Sequence, residues 1–264
     1  MSPPSVVFTD LDGTLLTDGR LVPAARRALD ALRRRGIPVV PLTSKTEAEL
    51  RAWLLELDCG GAGAFENGAG LVTPSGVEIL PGAIPVEELQ KVLGAAQRAG
   101  NVGVTTLAEL PAGTLQSLTG LDEGSLAAAR SRGWDLPFLA DAPTVDALRG
   151  ALARSPHVRL TAGGTFWHLT GRHDKGGAAR RILERLEVRG STAGLGDAPN
   201  DLPFLAEVDV PVIVPGPHGA NARLTEGLPG ALVAPALAGE GWACAIETLL
   251  SGPPSARKSA GATT

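Results

Sequence analysis

The sequence predicts an α/β protein: a Rossmann-like core built on a parallel sheet with right-handed crossovers, into which a smaller α+β unit is inserted. Three observations indicate this fold class. Apolar strands alternate with amphipathic helices in the first third of the chain, and the same alternation returns in the last third. The middle third instead combines short helices with two closely spaced strands around Gly163–Gly164, a pattern typical of an antiparallel sheet.

The first third carries five predicted elements. Its first strand is the apolar run Val6–Phe8, and the apolar positions of the following helix recur at helical spacing until Gly36 ends it. Ser44 and Glu47 have the spacing of a capping box, which predicts the start of the next helix. Asn67–Gly68 is typical of a hairpin turn. The elements are, in order, a strand at 6–8, a helix over 22–35, a strand over 37–42, a helix from 44 to Gly60, and a strand near 62–65.

The remaining elements are predicted from the same signals. In the middle third we expect helices over 85–99, 111–118, 123–131 and 144–153, and strands over 102–107, 136–139, 157–161 and 165–170. In the last third we expect helices over 175–186, 202–208 and 241–250, and strands over 192–195, 210–214 and 231–233. The chain should therefore divide into core segments at 1–82 and 171–250, an inserted unit at 83–170, and a disordered tail of small and polar residues at 251–264.

Composition and charge argue against several function classes. The formal net charge is −4 and there is no sustained basic run, so neither nucleic acid nor a membrane is expected as a partner. Cys59 and Cys244 lie far apart and are expected as core residues of a reducing compartment, and the histidines show no paired ligand pattern for zinc. We expect a cytoplasmic protein, a monomer or homodimer. The first strand begins too soon for a signal peptide, and no apolar run is long enough to span a bilayer.

Two carboxylates directly after the first strand are the most informative residues of the chain. Asp10 and Asp12 stand where that strand should end, in the crevice where open α/β sheets place their chemistry, and Gly13 lets the backbone turn away. Such a pair suits a reaction in which one carboxylate attacks an electrophile and the other moves protons, with a hard cation between them. An acidic turn without chemistry is the alternative interpretation.

Polar residues also follow the second strand and open a later helix. Thr43 and Ser44 stand at a helix start, where hydroxyls and free backbone amides can bind an anion, although Ser44 could simply cap the helix. Lys175 opens another helix, where a cation opposes the helix dipole. Because the chain has only four lysines beside 20 arginines, we expect Lys175 to act as a compact charge on a phosphate.

A third acidic cluster follows a strand of the last third. Asp197 and Asp201 stand in Gly-Asp-Ala-Pro-Asn-Asp, and the fold would place Asp197 at the same sheet edge as Asp10 and Asp12. Three crowded carboxylates require a cation, and ligands that are all oxygen indicate Mg²⁺. Hydroxyls and a lysine beside that metal would form a phosphate pocket.

Taken in order, these segments resemble the four motifs of the haloacid dehalogenase superfamily. The motifs are Asp-x-Asp-Gly-Thr from Asp10, a strand ending in Thr43, the helix-leading Lys175, and Gly-Asp-x-x-Asn-Asp over 196–201. The inserted unit resembles the larger, α/β type of cap domain in that superfamily. The resemblance implies that Asp10 attacks phosphorus to form an aspartyl-phosphate, and that Asp12 protonates the leaving alcohol and then activates water.

The same resemblance implies the remaining roles in the core. Magnesium would be held by Asp10, by the backbone carbonyl of Asp12 and by Asp197, with Asp201 supporting these ligands. The transferring phosphoryl group would be held by a hydroxyl, an ammonium and a nearby amide, which belong to Thr43, Lys175 and Asn200.

A narrower resemblance is to mannosyl-3-phosphoglycerate phosphatases, which form mannosylglycerate, a compatible solute. It rests on Leu-Thr-Ser-Lys-Thr-Glu-Ala-Glu over 42–49, Glu-Asn-Gly-Ala over 66–69 and Gly-Asp-Ala-Pro-Asn-Asp-Leu-Pro over 196–203. Thr43 departs from the serine usual in that family but keeps the hydroxyl. The resemblance implies that the substrate carboxylate meets cationic partners in the cap. The candidates for contact with the substrate, besides Asn200, are Ser44, Lys45, Glu66, Asn67, Gly68, Arg130, Arg132 and Thr165.

The leading hypothesis is therefore a magnesium-dependent phosphatase that acts on a small phosphorylated sugar-glycerate. Another sugar-phosphate phosphatase or a phosphomutase of the same superfamily would share every core motif. A non-catalytic sensor of phosphorylated metabolites is a further alternative, but a sensor needs no nucleophile, so the intact pair of Asp10 and Asp12 speaks against it. We expect a cap that closes over the site, with hinges near Pro81–Gly82 and Gly171.

Overall fold

The computed structural model describes residues 3–58 and 61–251. Three sequence predictions lie outside these residues: that Gly60 ends a helix, that Cys59 is a core residue, and that residues 252–264 belong to a disordered tail. Within the described part of the chain, no helix combines the length and the apolar character needed to cross a membrane.

Strands and helices follow the predicted order closely. The strands are β1 (Val6–Thr9), β2 (Val39–Pro41), β3 (Gly63–Phe65), β4 (Gly70–Thr73), β5 (Gly76–Ile79), β6 (Thr105–Thr106), β7 (Asp135–Leu139), β8 (Arg159–Ala162), β9 (Trp167–Thr170), β10 (Thr192–Gly196), β11 (Val210–Ile213) and β12 (Leu232–Val233). The α-helices are α1 (Pro23–Arg34), α2 (Glu47–Leu57), α3 (Val86–Gly100), α4 (Ala112–Thr119), α5 (Glu123–Arg130), α6 (Ala142–Leu152), α7 (Lys175–Arg185), α8 (Leu202–Leu205), α9 (Ala222–Gly227) and α10 (Ala238–Ser251).

The largest sheet is the predicted parallel core. Its strands lie in the order β12-β11-β10-β1-β2, and every neighbouring pair is parallel. The chain leaves β1 for β2 on one side and returns to β10 on the other, so the strand order reverses at β1. Open α/β sheets bind their ligands at such a reversal, beyond the carboxyl ends of the strands. The residues that follow β1 therefore lie where this fold is expected to bind a ligand.

Helices cover both faces of this sheet and fix β1 between them. On one face Val7 packs in a cluster with Leu32 of α1 and Trp242 of α10. On the other face Phe8 packs in a cluster with Ile182 of α7 and Phe204 of α8. Because both faces are covered, all four residues of β1 are fully buried, which explains the continuous apolar run in the sequence.

The third predicted strand is present, but it pairs mainly outside the parallel core. β3 forms an antiparallel sheet with β4 and β5, and a single parallel bridge between Leu42 and Ala64 connects it to the end of β2. The hairpin predicted at Asn67–Gly68 is confirmed, since a turn over Glu66–Gly68 joins β3 to β4. β5 was not predicted, because its residues are mostly exposed and its alternation of apolar and polar residues extends over only four positions.

The inserted unit is an α+β cap with an antiparallel sheet, as predicted. Its strands lie in the order β6-β7-β9-β8. One face of the sheet packs on α3 and α6 through Leu136, Phe138 and Leu169. The alternate residues Asp135 and His168 lie on the opposite face. The exact boundaries of the cap at 83 and 170 stay a prediction.

The prediction for the start of α2 is wrong by two residues. The capping box is formed by Thr46 and Glu49, not by Ser44 and Glu47. The backbone N–H of Lys45 donates to the Thr43 hydroxyl at 3.1 Å, so the residues before Thr46 form a turn instead of the first helical turn. Ser44 therefore does not cap α2.

The strand predicted over 102–107 is reduced to Thr105–Thr106. The backbone N–H and the hydroxyl of Thr106 both donate to the Glu109 carboxylate at 2.7 Å. This capping box starts a 3₁₀ turn at Leu107, which ends the strand.

Candidate active site

Asp10 follows β1 directly and lies at the carboxyl edge of the parallel sheet. Its backbone N–H donates to the Leu195 carbonyl of β10 at 3.0 Å, which continues the parallel pairing to the site. Its side chain is largely buried, and this burial, opposed by the charge of Lys175, raises the pKa of Asp10 to about 7. The Asp10 carboxylate therefore lacks full compensation of its charge within the protein.

The Lys175 ammonium lies between two buried carboxylates. Lys175 is the first residue of α7, and the side chain of Asp174 caps that helix. The Lys175 Nζ donates to Asp10 Oδ1 at 2.7 Å and to Asp201 Oδ1 at 2.6 Å. Burial disfavours the charged form, but the two carboxylates outweigh it and hold the pKa of Lys175 above its ordinary value. Lys175 thus joins the N-terminal and C-terminal segments of the core.

Asp201 organises the loop that carries Asp197. Its Oδ2 accepts hydrogen bonds from the backbone N–H groups of Asp197 at 2.9 Å and Ala198 at 3.0 Å. Both of its oxygens are therefore occupied, one by Lys175 and one by this loop. Asp197 Oδ1 accepts from the Thr14 hydroxyl at 2.7 Å, which ties the loop to the segment after β1.

Gly13 allows the close approach between these two segments. Its φ is +79°, and a Cβ at this position would lie 2.7 Å from Asp197 Oδ2. Any larger residue would be strained in its backbone and would displace the Asp197 carboxylate. The Gly in Asp-x-Asp-Gly-Thr is therefore required by the packing of the site.

Three carboxylates of the site cluster where a metal ion could bind, with Asp201 supporting Asp10 and Asp197. Ligand oxygens of Asp10, Asp197 and Asp201 lie within 4.8 Å of one another. Burial, followed by repulsion from Asp201 and Asp10, raises the pKa of Asp197 well above its ordinary value. A cation would relieve this repulsion, and a donor set of oxygens alone fits a hard divalent ion.

Asp12 and Lys45 form an ion pair at the mouth of this cluster. The Lys45 Nζ lies 2.7 Å from Asp12 Oδ2, and the Asp12 side chain remains 47% exposed. Lys45 is buried, yet Asp12 and Glu49 hold its pKa above the ordinary value. Thr43 is buried nearby, where its hydroxyl accepts from the Lys45 backbone. The structure thus brings Lys45 to Asp12 and places the Thr43 hydroxyl against the Lys45 backbone.

The loop over Glu66–Gly68 has an unusual backbone. Glu66, Asn67 and Gly68 have φ values of +43°, +59° and +90°. Consecutive non-glycine residues in this region are strained, and such strain clusters at functional sites. Gly68 is required here, because a Cβ would lie 2.3 Å from the Asp174 carbonyl oxygen.

Glu66 anchors this loop to the cap. Its buried carboxylate accepts the backbone N–H groups of Gly133 at 3.0 Å, Trp134 at 2.6 Å and Asp135 at 2.8 Å. Burial is the largest influence on it and raises the pKa of Glu66, although these amides oppose the shift. A carboxylate that accepts several amides is a positioning group, so Glu66 lies at the junction of core and cap and not free in the cleft.

Asn67 and Asn200 are brought into direct contact. The Asn200 Nδ2 donates to Asn67 Oδ1 at 2.9 Å, and Asn200 belongs to the turn between Asp197 and Asp201. The Asn67 Nδ2 donates to Asp135 Oδ2 at 3.1 Å. Two of the predicted substrate-contact residues of the core, Asn67 and Asn200, are therefore connected to each other and to the cap.

The cap contributes an inward-facing polar cluster to the same junction. The Arg132 Nη1 donates to the Ser44 carbonyl at 2.8 Å and lies 3.1 Å from Asp135 Oδ2. The His168 Nδ1 lies 2.8 Å from the same oxygen. Sequence reasoning missed Asp135 and His168. An acidic residue opening the apolar run Asp-Leu-Pro-Phe-Leu was the one signal for Asp135.

The other two cap candidates lie away from this cluster. Arg130 Nη2 donates to the Leu110 carbonyl within the cap. Thr165 is exposed in the turn between β8 and β9. The role of these two residues in binding stays a prediction.

Comparison with known proteins agrees with this geometry. A family model of haloacid dehalogenase-like hydrolases matches residues 7–66. The chain is 33% identical to the glucosyl-3-phosphoglycerate/mannosyl-3-phosphoglycerate phosphatase of Methanococcoides burtonii, over 81% of this chain and 86% of that protein. The chain belongs to the haloacid dehalogenase-like hydrolases. A Persephonella marina protein of the same name is 28% identical over 93% of this chain and 97% of its own length.

Membership in the haloacid dehalogenase-like hydrolases confirms the family and the enzyme class, a phosphoric monoester hydrolase, that the sequence predicts. A solved structure of a haloacid dehalogenase-like hydrolase from B. subtilis superposes with a TM-score of 0.69 at 19% identity. The superposition covers 93% of this chain and 100% of the B. subtilis chain. At that identity the likeness concerns the fold, which is the parallel core with its inserted cap.

Proposed function

We propose that the chain is a magnesium-dependent phosphatase that hydrolyses mannosyl-3-phosphoglycerate to mannosylglycerate and phosphate. The observation that carries the proposal is the arrangement of buried Asp10, Lys175 and Asp201 with half-buried Asp197 at the edge of the parallel sheet. It combines a nucleophile, a fixed ammonium and an oxygen-only cation site within one cluster, which are the parts that phosphoryl transfer requires.

The reaction begins with attack by Asp10. Lys175 hydrogen-bonds Asp10 Oδ1 and fixes the orientation of the carboxylate that attacks phosphorus. An O–P bond forms between one Asp10 oxygen and phosphorus, and the bond from phosphorus to the leaving alcohol breaks. Asp12, which enters this step protonated after leaving its ion pair with Lys45, gives its proton to the leaving oxygen. Asp12, now a carboxylate, takes a proton from water. That water attacks the aspartyl-phosphate, releases phosphate and restores Asp10.

The side-chain geometry supports these two roles. Asp12 is the exposed carboxylate of the pair, as a group that must reach a leaving group needs to be, whereas Asp10 is buried. Thr43 and Lys175 hold the transferring phosphoryl group through a hydroxyl and an ammonium. A positive charge beside the developing negative charge favours the transition state over the ground state.

Asp10, the Asp12 carbonyl and Asp197 are the groups that would hold magnesium, with Asp201 supporting Asp197. When bound, the ion supplies positive charge that neutralises the phosphate oxygens. The raised pKa values of Asp10 and Asp197 agree with a cation site, because both carboxylates lack full compensation without one.

The substrate assignment rests on the two curated relatives, whose names give both glucosyl-3-phosphoglycerate and mannosyl-3-phosphoglycerate. The structure offers cations where a glycerate carboxylate could bind, since Lys45 and Arg132 flank Ser44 at the junction of core and cap. A substrate with a second anionic group beside its phosphate would engage these cations in place of their carboxylate partners, whereas a simple sugar phosphate has no such group.

The test is phosphate release from mannosyl-3-phosphoglycerate, glucosyl-3-phosphoglycerate, hexose phosphates and p-nitrophenyl phosphate, with magnesium and with a chelator. We expect magnesium-dependent turnover with a preference for the sugar-glycerate esters. Preference for simple hexose phosphates would keep the mechanism and reject the named substrate. Transfer of phosphate within a hexose would indicate a phosphomutase.

The nucleophile is tested by Asp10→Asn, with the exposed Asp18→Asn as the matched control. We expect no turnover in the first variant and wild-type turnover in the second. Borohydride reduction of enzyme quenched during turnover should place homoserine at position 10, detected by peptide mass, because an acyl phosphate is reduced to an alcohol. Turnover that survives Asp10→Asn rejects the mechanism.

A further inference from the structure

A chain of side-chain hydrogen bonds runs from the cap sheet to the loop over 197–201. Asp135 at the start of β7 and His168 on β9 are buried, and the His168 Nδ1 lies 2.8 Å from Asp135 Oδ2. The Asn67 Nδ2 lies 3.1 Å from the same oxygen. The Asn67 Oδ1 accepts from the Asn200 Nδ2 at 2.9 Å. This series of hydrogen bonds therefore links a cap carboxylate to an amide of the candidate active site.

The carboxylate sets the direction of every hydrogen bond in this chain. An ionised Asp135 only accepts, so both the His168 Nδ1 and the Asn67 NH₂ group must carry hydrogens toward it. The Asn67 Oδ1 must then face Asn200, which in turn must present its NH₂ group. Asn200 Oδ1 is thereby directed away from Asn67.

Asn200 Oδ1, at the end of this series of hydrogen bonds, has no donor among the described residues that explains its burial. It is buried and has no hydrogen-bond partner within residues 3–58 and 61–251. A buried acceptor without a donor is costly, which indicates a partner that belongs to a ligand or to solvent. Asn200 lies in the turn over Pro199–Asp201, and cap strand β8 packs against that turn.

We propose that Asp135 is a positioning residue that acts through Asn67 on Asn200. It fixes the Asn200 amide so that Asn200 Oδ1 accepts a hydrogen bond from an O–H donor at the catalytic loop. That donor is a hydroxyl of the substrate's leaving group or a water molecule of the site. Because Asp135 belongs to the cap, the series of hydrogen bonds is complete only while the cap lies on the core as it does in this structure.

The surroundings of Asp135 keep it an acceptor. Burial disfavours its charge, but His168 and Arg132 outweigh burial and hold the pKa of Asp135 below its ordinary value. The backbone of Asn67 is held so that its side chain can lie between Asp135 and Asn200. Its backbone N–H is held by the Thr43 carbonyl at 2.9 Å, and its left-handed conformation aims its amide between cap and core.

The test compares Asp135→Asn, Asn67→Gly and the double variant, with Asp146→Asn as the matched control, because Asp146 is an exposed cap residue. Asn67→Gly removes the amide without backbone strain, since glycine readily adopts the φ of +59°. Turnover is measured on mannosyl-3-phosphoglycerate and on p-nitrophenyl phosphate, so this arm rests on the proposed function.

We expect Asp135→Asn to lower kcat for the sugar ester about tenfold, the size of one hydrogen bond in the transition state. In the Asn67→Gly background the same change should cost less than about twofold, because Asp135 acts through Asn67. A loss confined to the sugar ester identifies a leaving-group hydroxyl as the donor, and an equal loss with p-nitrophenyl phosphate identifies water. Effects that multiply in the double variant overturn the proposal.

A second readout needs no turnover. The Asn200 side-chain amide resonances, assigned by their loss in Asn200→Ala, should shift and exchange faster with solvent in Asp135→Asn and Asn67→Gly, but not in Asp146→Asn. Unchanged resonances overturn the proposal even if the enzyme is inactive on every ester tested, an outcome that by itself would reject only the proposed function. If Asp135→Asn fails to fold, Asn67→Gly carries both readouts.

Discussion

Replacing Gly68 by alanine should lower both the free energy of unfolding and kcat, because the added Cβ has no room at the start of α7. Gly68 has φ of +90°, and a Cβ there would lie 2.3 Å from the carbonyl oxygen of Asp174 and 3.0 Å from the backbone nitrogen of Lys175. Real Cβ atoms do not approach backbone atoms so closely. Because these atoms belong to the backbone, the start of α7 must shift to make room.

The expected cost has two parts. An alanine held at positive φ costs about 1–2 kcal/mol relative to glycine. Overpacking against a fixed neighbour adds about 1–3 kcal/mol, so the free energy of unfolding should fall by about 2–5 kcal/mol. Gly36→Ala separates the two parts, because Gly36 has a φ of +65° and nothing lies within 4 Å of its Cβ position. It should show only the backbone cost.

The measurements are urea unfolding and steady-state kinetics of both variants. The shift at Asp174 should move the Lys175 ammonium from its 2.7 Å contact with Asp10, and a misplacement of about 1 Å can cost on the order of 100-fold in kcat. Gly36→Ala should retain wild-type kcat. If Gly68→Ala is no less stable than Gly36→Ala and equally active, the packing argument is refuted.

Three further predictions concern charges of the site and the junction. Lys175→Met should lower kcat by about 100- to 1,000-fold, since it removes a fixed charge from the transition state, whereas the exposed Lys91→Met should not change it. Glu66→Gln should lower the free energy of unfolding by about 1–3 kcal/mol in urea unfolding, because its NH₂ group would meet backbone donors, while the exposed Glu187→Gln should be neutral. The pKa of Asp10 is raised from 3.8 to about 7 mainly by burial, so the folded metal-free protein binds more protons than the unfolded chain and loses stability as the pH rises through that range. Magnesium competes with the proton on Asp10. Differential scanning fluorimetry should therefore show that added magnesium raises the melting temperature more at about pH 8 than at about pH 5. Equal increases at the two pH values would contradict this.

The parallel core could be predicted because its central strands, β1, β2 and β10, are buried throughout. Buried strands lack the alternation of apolar and polar residues, and β1 and β10 stand directly before the acidic segments that carry Asp10 and Asp197. The residues of these segments had to meet once the strands were parallel, and Asp10, Lys175, Asp197 and Asp201 do lie together.

The start of α2 could not be read from local spacing. Ser44 with Glu47 and Thr46 with Glu49 have the same spacing, so local sequence does not choose between them. The choice depends on a tertiary contact, because Lys45 must reach Asp12 across the site. The side chain of Glu49 then closes the box with Thr46.

The junction of core and cap was the least predictable part of the molecule. Asp135 and His168 lie 33 positions apart in the chain and meet only because β7 pairs with β9. Their contact with Asn67 depends further on how the cap lies on the core, which no periodicity encodes. Long-range polar contacts of this kind follow from the assembled fold and not from a local pattern.

The place of β1 inside the parallel sheet has a consequence for biosynthesis. β2 leaves the ribosome soon after β1, but β10 begins only at Thr192, so one edge of the apolar strand β1 lacks its partner until most of the chain has been made. At a synthesis rate of about 5–20 residues per second this interval lasts about 10–40 s. An unpaired apolar strand edge is prone to aggregate, so the nascent chain should depend on chaperones until β10 can insert beside β1.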